Sequence, residues 1–201
     1  MTVVTDNFFH FPYNEAMKSK IVPLGQGRFF AQFLRNEKKV VLKNLDQLEK
    51  ALYSLQYESK ISSSEHIKKA EEVMLFLKNK YTAHIKLDDR IIFPFLEKHV
   101  PRLTPILLYL KAERGEFQEE LKVFEKTLLE LKRDNKGALR YGIIERLKDK
   151  GIYLICLIRS HIQLEEQGVY ESLTRGLKPA ERSDLLAQII RYSSAVSLEK
   201  K

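Results

Sequence analysis

The chain has little of what stabilises secreted, membrane-spanning or loop-rich proteins. It has one cysteine, Cys156, in 201 residues, which excludes an internal disulfide framework and predicts a cytoplasmic protein. Tryptophan is absent, and glycine (8) and proline (6) are scarce, which favours long helices over turn-rich folds. No apolar run approaches the roughly 18 residues of a membrane span, and residues 1–13 lack a basic start, so neither an anchor nor an export signal is predicted.

With 44% hydrophobic residues, the chain can bury one good core. The formal net charge of +8 raises the question of nucleic-acid binding. However, Lys and Arg alternate with Asp and Glu, and even the densest basic stretch, residues 132–150, contains three acids. Nucleic acid and membranes are therefore not predicted as partners, whereas a protein partner or a homodimer stays open. The chain has no phosphate-binding loop and no nucleophile–base pair, so no catalytic residue is assigned.

Apolar residues recur every three or four positions, which is the pattern of helices that face a core. This periodicity predicts four long helices and one short one, at about 29–57, 64–98, 104–133, 138–175 and 180–192. Pro94 is expected to kink or end the second helix. The predicted fold is all-α: an up-down-up-down four-helix bundle with an irregular, aromatic-rich N-terminal arm and a short C-terminal helix. The predicted regions are 1–27 (arm), 28–178 (bundle) and 179–201 (C-terminal helix and tail).

One stretch of sequence, which begins at His84, recurs in part 77 residues later, where it begins at His161. In each copy the histidine is followed four residues later by an acid, Asp88 or Glu165. Helical residues four apart lie on one face, about 6 Å apart along the axis, so each pair can point at one spot. An imidazole nitrogen and a carboxylate oxygen that converge on one point suit a transition metal.

Counting from the predicted loops places both pairs at one level of the bundle. The same count places Glu37-Lys38 of the first helix and Glu113-Arg114 of the third helix at that level. These two segments belong to a wider internal repeat, in which eight positions of the first helix match eight of the third at an offset of 76 residues. The sequence therefore predicts two similar helical hairpins whose inward residues share one polar layer.

Over about residues 28–175 the sequence resembles the hemerythrin-like, HHE cation-binding domains. Their second and fourth helices carry H-x-x-x-E, often followed by another acid and a Phe-Pro or similar pair, and residues 84–94 and 161–170 match this pattern. Asp88 stands where the family usually has Glu. The resemblance implies a non-heme di-iron centre inside the bundle. It also implies a histidine on the first and on the third helix, where this chain has Lys38 and Arg114.

These two cations are the basis of our main functional hypothesis. A protonated Lys or Arg offers only donors and cannot bind a cation. Without metal the predicted layer is balanced, because Lys38 and Arg114 carry two positive charges and Asp88 and Glu165 two negative ones. We therefore predict a degenerate di-iron site, with a buried Lys/Arg–Asp/Glu–His cluster, no cofactor, and a non-catalytic structural or interaction role.

The alternative hypothesis keeps a metal and a role in handling iron, oxygen or nitric oxide. Glu37 and Glu113 could turn inward while Lys38 and Arg114 extend to the surface, which would leave a carboxylate-rich di-iron site. A single divalent transition metal at His84, Asp88, His161 and Glu165 is a further option. In either case three neighbouring residues are predicted to surround the ligands: Tyr81, Asp89 and Glu166.

Two residues of the predicted fourth helix have predicted structural roles. Cys156 lies between Ile155 and Leu157, and this setting predicts a buried, inert thiol. Gly151 lies on the inward stripe, where the lack of a side chain predicts a close approach between helices.

Overall fold

The computed structural model describes residues 26–57, 60–134 and 140–198. The predicted N-terminal arm lies outside these residues except for Gln26 and Gly27, which already belong to the first helix. Every regular element of the described residues is helical, so the predicted all-α class is confirmed. The five helices are α1 (Gln26–Tyr57), α2 (residues 60–99), α3 (Thr104–Arg133), α4 (residues 140–175) and α5 (Pro179–Leu198).

Two of the helices change their hydrogen-bonding pattern along their length. In α2 the α-helical parts alternate with two π-helical turns, and the parts in order are Lys60–Phe76, Leu77–Tyr81 (π), Thr82–Leu87, Asp88–Ile92 (π) and Phe93–His99. In α4 a single π-helical turn separates two α-helical parts, and the order is Arg140–Leu164, Glu165–Tyr170 (π) and Glu171–Arg175. Such turns are rare and often lie at functional sites.

Two of the predicted helix boundaries are wrong. α2 begins at Lys60 and not near residue 64, and Ser63 is buried inside it, where its Oγ accepts a hydrogen bond from Arg140 at 2.9 Å. Pro94 does not end α2, which continues to His99, close to the predicted end. The last helix continues beyond Tyr192 to Leu198, and within it Ser194 donates its hydroxyl proton to the carbonyl of Ile190 at 2.9 Å.

The described chain forms two compact units that divide the long helices between them. The first unit comprises residues 26–37, 80–109 and 164–198. The second unit comprises residues 38–57, 60–79, 110–134 and 140–163.

Ion pairs in the second unit fix how its four helical segments run. Lys78 binds Glu125 at 2.7 Å and Lys132 binds Glu71 at 2.6 Å, so α2 and α3 are antiparallel. The ion pair Arg159–Asp46 and the hydrogen bond from Gln56 to Glu145 show that α1 and α4 are antiparallel. The ion pairs Lys150–Glu120 and Arg146–Glu130 show the same for α3 and α4. The second unit is thus an up-down-up-down arrangement of four helical segments, as predicted.

Leucine and phenylalanine fill the core of the second unit, with fully buried residues such as Leu45, Leu48, Leu52, Phe124 and Leu154. Gly151 lies against this core, and a Cβ atom there would be 2.3 Å from Leu52 Cδ1 and 2.9 Å from Phe124 Cε2. Only glycine therefore fits without a shift of its neighbours, which confirms the predicted close approach.

The apolar core of the first unit includes Ile85, Ile92, Phe93, Leu96, Leu107, Val169 and Leu173. α5 adds Leu185, Leu186 and Ile189 to it, and all three side chains are buried. α5 packs on the π-helical turn Asp88–Ile92 of α2. The C-terminal helix is therefore an integral part of this unit.

The prediction for Cys156 is wrong, since its thiol is exposed. The buried stripe of α4 runs through Leu154, Ile155 and Ile158, and residue 156 points away from this stripe because successive helical residues turn by about 100°. Among the helices of the described residues, none combines the length and the apolar character that crossing a bilayer requires.

Candidate metal centre

Two buried carboxylates stand at the first positions of π-helical turns in the first unit. Asp88 begins the turn Asp88–Ile92, and Glu165 begins the turn Glu165–Tyr170. The amide of Phe93 donates to the carbonyl of Asp88, which is the i to i−5 bond of a π-helix. Both side chains are almost fully buried, with relative exposures of 3% and 2%.

His84 lies among three buried acids of the first unit. We call these four residues the His84 cluster: Glu37, His84, Asp88 and Glu165. His84 Nδ1 lies 3.2 Å from Glu37 Oε2, and His84 Nε2 lies 3.5 Å from Asp88 Oδ2. One donor atom from each of His84, Asp88 and Glu165 lies within 4.8 Å of the other two. The side chains of all four residues are buried.

The acids of this cluster control the charge of His84. Burial lowers the pKa of the imidazole, but Asp88, Glu37 and Glu165 outweigh it and raise the pKa from 6.5 to about 9. Both ring nitrogens face carboxylate oxygens, which accept but do not donate when ionised. Without a metal, His84 is therefore an imidazolium at neutral pH.

Two buried tyrosines adjoin the His84 cluster. The ring of Tyr81 stacks beside that of His84, with centroids 6.3 Å apart and planes 18° apart. Burial, and then the negative charges of Glu165, Asp88 and Glu37, raise the pKa of Tyr170 well above 10. The Tyr170 phenol therefore stays protonated and can serve as a hydrogen-bond donor at neutral pH.

Tyr170 was not among the site residues predicted from the sequence. Tyr170 follows His161 at the same spacing at which Phe93 follows His84 in the first copy of the repeat. From the sequence alone it therefore resembles a core aromatic residue. Asp89 and Glu166, which were predicted to surround the ligands, are exposed because each is one position beyond the buried acid. Tyr81 is buried beside His84, where it was expected.

The second unit holds a related set of residues, the His161 cluster: Lys38, Glu113, Arg114 and His161. His161 Nδ1 lies 3.2 Å from Glu113 Oε2, the same distance as between His84 and Glu37. The other ring nitrogen meets a cation, because Arg114 Nε donates to His161 Nε2 at 3.4 Å. Lys38, Arg114 and His161 have relative exposures of 2%, 3% and 4%.

This hydrogen-bond pattern fixes the tautomer of His161. A guanidinium has only donors, so His161 Nε2 must accept and cannot carry a proton. The ring proton is then on Nδ1, from which it is donated to Glu113. The lone pair that a metal would need on Nε2 is directed at Arg114.

The two clusters differ in how well they fit a cation. In the His84 cluster an imidazole nitrogen and two carboxylates converge, which is a suitable donor set for a divalent cation. A third carboxylate, that of Glu37, adjoins the other ring nitrogen. In the His161 cluster the guanidinium of Arg114 faces Nε2, and a cation placed there would be repelled by it. The His161 cluster does not fit a metal in this form.

The geometry combines features of both hypotheses drawn from the sequence. Glu37 and Glu113 each face a histidine, as the metal-bearing alternative requires. Lys38 and Arg114 nevertheless remain buried and do not extend to the surface. Consecutive helical residues point in directions about 100° apart. Both residues of Glu37-Lys38 and of Glu113-Arg114 can therefore face inward where packing covers a wide arc of the helix surface.

Comparison with known families agrees with this site. Residues 30–173 match the family described as the hemerythrin HHE cation binding domain, which spans most of the 201 residues and includes both clusters. No curated protein and no solved structure matches the chain. The chain therefore belongs to the hemerythrin HHE cation-binding domain family.

Proposed function

We propose that this protein binds a single divalent transition-metal cation at the His84 cluster. The observation that carries this proposal is the convergence of donor atoms from His84, Asp88 and Glu165 within 4.8 Å of one another, on buried side chains of one compact unit. In the proposed site these three residues are the ligands. The family assignment supports cation binding in general, and the choice of one ion at this cluster is our inference.

The donor set favours a fairly hard cation. Two carboxylates and one imidazole supply oxygen and nitrogen ligands, which suit Mn²⁺ or Fe²⁺. They do not suit a soft cation that prefers thiolate ligands. A buried group of three carboxylates and one histidine is strongly negative unless protons or a cation neutralise it. A dication would replace the proton that His84 otherwise carries.

Glu37 has a separate role in this proposal. Its carboxylate oxygen lies 3.2 Å from His84 Nδ1, so its negative charge favours a proton on Nδ1 and leaves Nε2 as the ligand atom. Such carboxylate–histidine pairs orient the ring and raise its basicity. Tyr81 limits the tilt of the same ring by stacking on it. Iron, when bound, would supply redox chemistry and an attachment point for oxygen or nitric oxide.

A second ion is not part of the proposal, because Arg114 faces the ligand nitrogen of His161. The family resemblance implies a di-iron centre, and only the His84 cluster keeps a donor set for a cation, whereas the His161 cluster has a buried guanidinium beside its histidine. Lys38 adds a second buried positive charge to the His161 cluster. We therefore infer that the His161 cluster is degenerate and that the His84 cluster is not.

A metal-free structural or interaction role is the second candidate function. Its support is the raised pKa of His84, about 9, which makes the imidazolium a permanent counter-charge to Asp88, Glu37 and Glu165 at neutral pH. The same cluster would then hold the fold together without an ion. In this case the scaffold of the family serves as a binding module for a protein partner or for a second copy of the chain.

Metal stoichiometry separates the two candidates. The purified, untagged chain is loaded anaerobically with Fe²⁺ or with Mn²⁺, desalted, and analysed for metal per chain. We expect close to one ion per chain, and we expect Glu165→Gln to remove it while the exposed neighbour change Glu166→Gln does not. No retained ion in the wild-type chain would eliminate the cation-binding proposal and leave the metal-free role. Two ions would show that Arg114 moves away from His161.

A further inference from the structure

The C-terminal helix α5 lies beyond the matched family domain, which ends at residue 173. Within the first unit it packs on the turn Asp88–Ile92, which begins with the proposed ligand Asp88. Its apolar residues Leu185 and Ile189 are buried with relative exposures of 2% and 0%. An element that the family domain does not include is therefore in contact with the segment that holds a ligand.

Two polar contacts attach α5 to the same part of α2. At the start of α5, Glu181 accepts the backbone N–H of Lys178 at 2.7 Å and lies 3.3 Å from His99 Nδ1. The ring of His99 in turn stacks on Phe95, with centroids 4.3 Å apart. Near the other end, the guanidinium of Arg90 lies 6.0 Å from the centre of the Tyr192 ring, a cation–π contact.

The turn Asp88–Ile92 depends on such contacts for its geometry. π-helical turns are rare, and most occur as single turns inside α-helices. Pro94 lies two residues after the turn and has no N–H to donate back to it. Packing against α5 therefore contributes to the direction in which the Asp88 carboxylate points.

We propose that α5 is a positioning element for Asp88, so that docking of α5 and binding of a cation at the His84 cluster favour each other. The coupling to the cation rests on the function proposed above, whereas the positioning of the turn does not. Thermodynamic linkage makes the effect reciprocal: a docked α5 tightens cation binding, and a bound cation tightens the docking of α5. Tyr192 and Glu181 are the positioning residues.

The first test measures Mn²⁺ affinity in the full chain. We expect Tyr192→Ala and Glu181→Ala to weaken binding by about fivefold or more, the low end of typical coupling between sites. Two neighbours on α5 provide matched controls, because Arg191 and Asp184 are exposed and bond to Ala187 and Gln188 of their own helix. Arg191→Ala and Asp184→Ala should bind Mn²⁺ as the wild-type chain does. Tyr192→Phe keeps the aromatic ring that contacts Arg90, so this variant should bind Mn²⁺ with the wild-type affinity.

The second test is amide hydrogen exchange of the metal-free chain, which reads the turn itself. Tyr192→Ala should accelerate exchange at residues 88–93 relative to the wild-type chain and to Arg191→Ala. Unchanged exchange at these residues would overturn the positioning role, whether or not α5 itself exchanges faster. A wild-type chain that binds no Mn²⁺ would refute the proposed function, and the exchange data would still decide whether α5 positions the turn.

Discussion

The His84 and His161 clusters share one contact and differ in another. In both, a carboxylate lies 3.2 Å from Nδ1 of the histidine, Glu37 for His84 and Glu113 for His161. At Nε2 the neighbours have opposite charges: the carboxylate of Asp88 at 3.5 Å in one cluster, and the guanidinium of Arg114 at 3.4 Å in the other. The charge of the group at Nε2 therefore distinguishes the two clusters.

This difference decides whether Nε2 of each histidine is available to a cation. Two unit charges about 4 Å apart interact by about 4 kcal/mol at an effective dielectric near 20, and a dication doubles this. The sign is favourable beside Asp88 and unfavourable beside Arg114. Burial sharpens the contrast, because Asp88 and Arg114 are both only 3% exposed and water screens neither of them well.

Removing the charge of Asp88 is expected to have the largest effect on this contrast. Asp88→Asn keeps the shape of the side chain but removes an anionic ligand, so cation affinity should fall by more than about 100-fold, beyond the usual cost of losing an outer partner. Isothermal titration with Mn²⁺ measures the affinity. Asp89→Asn is the matched control, since Asp89 is the next residue and is exposed. Equal losses in both variants would contradict the assignment of Asp88 as a ligand.

Making the His161 cluster resemble the family pattern should add a second ion. The double variant Lys38→His, Arg114→His removes both buried cations and frees Nε2 of His161, so bound metal should rise from about one to about two ions per chain by the ligand count of such sites. Elemental analysis of wild type and variant, prepared side by side, measures the change. An unchanged count would show that Lys38 and Arg114 are not what prevents binding of a second ion.

The sequence predicts the fold and the content of the clusters well, because both depend on helical periodicity. A histidine and an acid four residues apart must share a helix face, and Glu37 was correctly placed at the level of His84. Periodicity also favours the inward position of Lys38 and Arg114 that the structure shows, because both residues continue the inward stripe. It does not predict that Glu37 and Glu113, one position off that stripe, also face the histidines, since this depends on how far tertiary packing covers each helix.

The π-helical turns were also beyond the reach of the sequence patterns. Periodicity detects a stripe at about 3.6 residues per turn and does not register one inserted residue. The insertion shifts the residues that follow it. It brings Tyr170, which lies five positions after Glu165, into the buried surroundings of the acids.

The two orienting carboxylates should differ in their effect on cation binding. Glu37→Gln weakens the acceptor for the Nδ1 proton of His84, and the affinity for Mn²⁺ should fall by about 10-fold, the low end for outer partners of a ligand. Glu113→Gln changes the corresponding contact of His161, which faces Arg114 and is not a proposed ligand, so the affinity should not change. Titration of both variants with Mn²⁺ provides the comparison. A larger loss in Glu113→Gln would mean that the cation uses His161 instead.

The pH dependence of the metal-free chain tests the same cluster with a smaller effect. The folded-state pKa of His84 is about 9, above the ordinary 6.5. Protonation of His84 therefore stabilises the fold fully below about pH 6.5, and this stabilisation is lost as the pH rises through 9. Urea unfolding of the chelator-treated chain between pH 6 and 9 should show the unfolding midpoint falling with pH.

Two variants assign this pH dependence to the His84 cluster. Asp88 contributes most to raising the pKa of His84, so Asp88→Asn should lower the pKa and flatten the dependence, whereas Asp89→Asn should retain it. Imidazole resonances in nuclear magnetic resonance spectra report the titration of His84 directly. A midpoint near 6.5 in the wild-type chain would show that the three acids do not hold a proton on His84. The metal-free cluster would then lack its counter-charge, and a bound cation would be the remaining way to neutralise it.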